Sequence, residues 1–130
     1  NVISVSADFV LHEKVIQSKL PCIVIHSTDG CFQYLSSPMH FEYLLLKTLQ
    51  QAESICNWEE ILLEEIRKVS GDDHTLTMSI FGYGSFDCLK KSYVERLQYL
   101  EESYIRGWEG LSEDTHVALW NKYQGELRKE

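Results

Sequence analysis

The chain has 130 residues, 44% hydrophobic and 25% charged, with a net charge of -8, which suits one folded core and excludes the low-hydrophobicity regime of disorder. Split after Ser70, it carries five Lys/Arg against nine Asp/Glu before that point and seven against eleven after it, so each half contributes -4. An acidic surface this even argues against non-specific nucleic-acid binding and against anionic membrane surfaces.

The first twenty residues read least clearly. Val2 to Val5 alternate like a strand, and Ser6 to Ile16 lean towards a helix. From Leu20 to Ser36 two β-prone runs flank Asp29-Gly30, which predicts a hairpin over about 21–36 with a two-residue type I′ turn. In that register Ile25 faces Tyr34, Ser27 faces Phe32, and apolar side chains project from both faces of the sheet.

Ser36-Ser37-Pro38 supplies a serine cap and a first-turn proline. Phe41, Leu44, Leu45, Leu49 and Ala52 then recur at helical spacing. A second helix is expected from Asn57, with Trp58, Leu62, Ile66 and Val69 inward, Glu64 placed to pair with Lys68, and Gly71 ending it. Residues 75–81 alternate as a strand. Ser85 should cap the next helix, where Phe86, Leu89, Tyr93, Leu97, Leu100 and Tyr104 form a seam. Gly107-Trp108-Glu109-Gly110 breaks it, and Ser112 opens a last helix with Val117, Trp120 and Leu127 inward. The fold class is thus α+β: a small, mainly antiparallel sheet packed with four or five helices, ending in a helical hairpin. Residues 1–130 read as a single domain, expected to come from a larger protein because the chain starts at Asn1.

Cys22, Cys31, Cys56 and Cys88 contain no C-x-x-C pair and no zinc spacing. Reduced thiols and an intracellular setting, cytoplasmic or nuclear, are expected, with no metal and no cofactor. No apolar run approaches the length needed to span a membrane.

Gly82-Tyr83-Gly84-Ser85 lies between a predicted strand and a predicted helix, where backbone amides can hold an anion. Gly82, Gly84 and Ser85 are therefore the candidates for the alternative reading, a small-molecule or nucleotide site with or without enzymatic chemistry. Asp87 stands where a dinucleotide fingerprint needs its third glycine, and no lysine follows as in a P-loop, so a capped turn is the foremost reading. Asp72-Asp73-His74 offers two carboxylates beside an imidazole, but neighbours on a loop diverge and a solvated turn is favoured. His26 and Cys31 sit diagonally in the predicted hairpin, which argues against a thiolate–imidazole pair. No catalytic set emerges, and the balance leans away from an enzyme.

Seven Tyr and three Trp accompany only five Phe. Such side chains give large contact area with a polar tip. Tyr99 lies off the main seam, Tyr104 ends it, and Trp108 sits in a glycine-flanked connection; these three are the candidate partner-binding residues. The leading expectation is a protein–protein interaction or scaffold domain using the aromatic C-terminal hairpin or an exposed sheet edge. Homo-oligomerisation through the Phe86 to Tyr104 helix is possible if the last helix leaves that seam uncovered.

Overall fold

The computed structural model describes residues 15 and 17–128; apart from Val15, the readings of Val2 to Val5 and Ser6 to Ile16 lie outside the described residues. The fold is α+β. Strand β1 (Cys22–Ser27) pairs antiparallel with β2 (Leu76–Phe81), Cys22 opposite Phe81 and Ser27 opposite Leu76.

The hairpin expected over 21–36 is not formed; only its first strand exists, and its partner is β2. A type I′ turn needs positive φ at both central residues, whereas among the described residues positive φ occurs at Gly82 and Gly107 and not at Asp29 or Gly30. Asp29–Cys31 instead makes one 3-10 turn, with the Phe32 and Gln33 N–H groups donating to the Asp29 carbonyl at 3.0 and 2.9 Å. Ser70 Oγ donates to the Gly30 carbonyl at 2.8 Å and Cys31 Sγ to the Thr75 carbonyl at 3.3 Å. A Cβ on Gly30 would collide with the Asp73 carbonyl oxygen. The glycine thus serves a close approach of two loops rather than a left-handed turn.

Apolar side chains project from both faces, as expected, and among the described residues one face is covered. Ile23, Ile25, Leu76, Met78 and Ile80 pack against the core, while Val24 and Phe81 are 38% and 47% exposed on the other side.

Four helices of the expected set begin on a serine whose Oγ accepts an N–H three residues on. Ser37 caps α1 (Pro38–Gln51), Ser54 caps α2 (Ile55–Val69), Ser85 caps α3 (Phe86–Ser92) and Ser112 caps α5 (Glu113–Leu127). The second helix starts before Asn57, because the Asn57 N–H is the group that Ser54 satisfies and its Oδ1 in turn accepts from the Glu53 N–H. Lys68 pairs with Glu64 as expected and also with Glu65. After α3 the chain continues through α4 (Val94–Leu100) and a π-helical turn, Glu101–Ile105.

The core joins α1 (Met39, Leu45, Leu46, Leu49), α2 (Trp58, Leu62, Ile66) and the seam of α3 and α4 (Leu89, Leu100). Trp58 Nε1 donates to the Leu45 carbonyl at 3.2 Å and to Thr48 Oγ1 at 3.1 Å, so the buried indole is satisfied. Gln50 Nε2 donates to the Lys90 carbonyl at 2.8 Å, and Lys90 Nζ to the Ala52 carbonyl at 2.6 Å, each side chain capping the other helix's C-terminal end.

The C-terminal helices run antiparallel. Tyr99 meets Glu126, Tyr104 meets Tyr123, and Trp108 meets His116. The buried residue of α5 is Tyr123, 6% exposed, and Trp120, expected inward, packs partly buried against the core with Leu119; Val117 and Leu127, also expected inward, are 54% and 49% exposed. Among the described residues no helix is long and apolar enough to cross a membrane.

Candidate functional site

The N-terminal end of α1, the connection after the π-helical turn and the first turns of α5 converge on Trp108. Gly107, at φ 79°, turns the chain out of the helix and starts a short 3-10 turn, Trp108–Gly110. The His116 ring stacks on the indole at 4.0 Å and 10° between planes, with His116 Nε2 at 3.0 Å from the Trp108 carbonyl. From α1, His40 meets the same indole edge-on at 4.9 Å. Trp108 is therefore half-buried between two imidazoles, with part of its ring left facing solvent.

Three clefts adjoin here and share Ser36. One, of about 320 Å³, runs between Pro38 and Met39 on one side and Trp108, Val117 and Trp120 on the other. A second, of about 400 Å³, also borders Trp108 and is lined by His40, Ile105 and Glu109. The third, also about 400 Å³, extends from Pro38 to Phe32, Leu35 and Phe41. Among the described residues no Asp, Glu, Lys or Arg lines the first or third; Glu109 lines the second, and Glu113 and Asp114 lie in the first turn of α5.

Ser37 Oγ lies 2.7 Å from His40 Nδ1, a distance at which an imidazole can take a hydroxyl proton. Two observations favour a helix cap instead. Ser37 Oγ already accepts the His40 N–H, and burial, followed by the nearby His116, holds the His40 pKa below its ordinary value. A catalytic base in such a pair is usually made more basic by a third, acidic group.

The other proposed residues fall elsewhere. Tyr104 is 1% exposed and sealed by Tyr123 in a T-shaped contact at 5.6 Å, so it belongs to the core and is not a surface contact. Burial, with Glu126 beside it, raises its pKa well above the usual phenol range. Tyr99 is 37% exposed, but its hydroxyl is committed to Glu126 Oε1 at 2.6 Å. It borders a clamp in which Arg96 grips Glu42 through Nε and Nη2, both at 2.8 Å, while Tyr123 donates to the same carboxylate at 2.6 Å. Burial alone would raise the Glu126 pKa, yet the Tyr99 hydroxyl, with Tyr104, Lys122 and Arg96 nearby, holds it below the ordinary carboxylate value. This cluster ties α1, α4 and α5 together. The seam from Phe86 to Tyr104 is likewise closed within the chain, with Leu89, Leu100 and Tyr104 at or below 1% exposed.

Gly82 packs on Leu20 and Pro21 and needs its positive φ of 79° to turn, Gly84 faces open space, and Ser85 Oγ is taken by the Cys88 N–H at 3.1 Å. Each residue thus has a place in a strand-to-helix turn. Asp72 Oδ1 accepts the Asp73 N–H and His74 Nδ1 lies 3.3 Å from the Asp72 carbonyl, a local loop arrangement; no three metal-ligating side chains cluster among the described residues. His26 stands opposite Thr77 and is exposed, whereas Cys31 is buried on the Thr75 carbonyl. The sequence reading located Trp108 but missed Pro38, His40, His116 and Trp120 around it, since no local pattern links positions so far apart.

No protein-family model matches this sequence, and neither the curated proteins nor the solved structures provide a match.

Proposed function

We propose that this chain is a protein-interaction domain that holds a partner polypeptide in the clefts around Trp108. The observation that supports this most directly is an open, aromatic-walled surface whose first and third clefts are lined by no described Asp, Glu, Lys or Arg, with Glu109 on the second. Trp108 and Trp120 offer large rigid rings, Val117 is 54% exposed beside them, Glu109 lines the adjoining cleft, and Glu113 and Asp114 lie in the first turn of α5. Exposed aromatic anchors with a polar surround are how many partner-binding surfaces are built. The complementary occupant is a segment with an apolar anchor flanked by Lys or Arg. An intracellular, reducing setting suits the four free thiols, two of them exposed.

A photo-crosslinking side chain at position 117 tests the surface against one at position 60 on the exposed flank of α2. The expected result is an adduct at 117 that excess unlabelled chain competes away, and about tenfold weaker binding of the same partner by Val117→Glu at an unchanged melting temperature. Undiminished binding by both Val117→Glu and Trp108→Ala would sink the proposal.

A further inference from the structure

We propose a second binding surface, independent of the Trp108 clefts: the open edge of β2 accepts an extended segment of a partner protein, apolar at alternate positions and basic where it passes Glu59. The ladder sets which groups are available. Thr28 donates its N–H to the Thr75 carbonyl at 3.0 Å, continuing the β1–β2 register by one hydrogen-bonded pair. In an antiparallel ladder such pairs alternate with pairs whose main-chain groups point outward. Thr77, Ser79 and Phe81 therefore bond to β1, while the N–H and C=O groups of Leu76, Met78 and Ile80 face away from it. No strand among the described residues pairs with that edge.

The side chains of the same three residues border a cleft of about 290 Å³, closed by Ile55 and Glu59 of α2. It is prolonged by a smaller cavity of about 60 Å³ reaching Leu62, Ile66 and His74. No β1 residue lines either space, so both lie on the outer side of β2. A strand added here would complete the main-chain bonds and drop alternate side chains into the cleft. Sheet edges are commonly blunted by lysine, proline or a bulge. Here β1 and β2 contain no charged residue and no proline, and six consecutive pairs run without a bulge.

Charge selects the occupant. Glu59 lines both spaces and makes no ion pair with a described residue. Neither space is lined by Lys or Arg, so a second copy of the chain would bring carboxylate-bearing grooves together with no cation between them. A partner strand carrying Lys or Arg completes the site.

The test uses the full chain and two fluorescein-labelled probes: a heptapeptide alternating valine and threonine with one central lysine, and its glutamate counterpart. Fluorescence anisotropy should show the lysine probe binding about tenfold more tightly, with amide exchange slowed at Leu76, Met78 and Ile80. Glu59→Lys should reverse the preference, Ile55→Glu should weaken both probes without unfolding the helix end, and Val117→Glu should bind as wild type. Equal affinity for the two probes, or protection confined to Cys22–Ser27 or to the Trp108 clefts, would overturn the proposal. So would a dimer by sedimentation that Ile55→Glu dissolves, because the occupant would then be a second copy.

Discussion

The two ends of α1 use similar residues to opposite effect. At its C-terminal end Leu45, Leu49 and Ala52 are sealed, the Trp58 indole is doubly bonded, and Gln50 and Lys90 cap one another's helices. At its N-terminal end Pro38 and Phe41 border clefts, and an indole of the same kind is wedged between His40 and His116 with part of its ring open. What separates the two ends is where the polar atoms go. Closure follows when every indole and amide finds an internal partner, and open clefts remain where the rings outnumber the described elements that cover them.

Breaking the closed end should cost most. Trp58→Ala removes a buried indole together with its bonds to the Leu45 carbonyl and Thr48 Oγ1, and is expected to lower unfolding free energy by about 3–5 kcal/mol, measured by urea denaturation. Next comes the clamp between the ends. Glu42→Ala leaves Arg96 and Tyr123 facing each other without their shared carboxylate, and about 1–3 kcal/mol should be lost. Smaller still, Ser37→Ala deletes the α1 cap at the open end and should cost about 1 kcal/mol; a loss as large as that of Trp58→Ala would erase the contrast drawn here.

The smallest effect should be one of pH. The His40 pKa is lowered in the folded state by burial and then by His116, so below its ordinary value of about 6.5 the unfolded chain binds more protons. Stability should then rise with pH across that region and fall on acidification. His40→Asn should flatten the slope, and denaturation curves at about pH 5.5 and pH 7.5 would show whether it does.

Much of this architecture was legible because its signals are local. Ser37, Ser85 and Ser112 announce their helices within three residues, and the Phe86 to Tyr104 seam repeats at helical spacing. The β1–β2 pairing was not legible. Asp29-Gly30 is a strong local hairpin signal, but it lost to contacts with Ser70, Asp73 and Thr75, about 40 residues along the chain. The face of α5 was read correctly at Trp120, which packs against the core, but not at Val117 and Leu127, which are as apolar as a core face requires; Tyr123, drawn inward, follows the Glu42 carboxylate on a distant helix. At the candidate site, Trp108 was visible through its flanking glycines, but its two imidazole neighbours come from α1 and α5, and no spacing rule connects them.

The sheet's connectivity bears on how the chain comes together in time. Ser27 and its partner Leu76 are joined only through the two helices between them, a closure whose entropic penalty grows slowly with length but must be met before any rung forms. Loop-closure entropy therefore favours an order in which α1 and α2 form first and bring Gly30 and Asp73 within reach, and amide exchange in β1 and β2 is expected to be faster than in either helix.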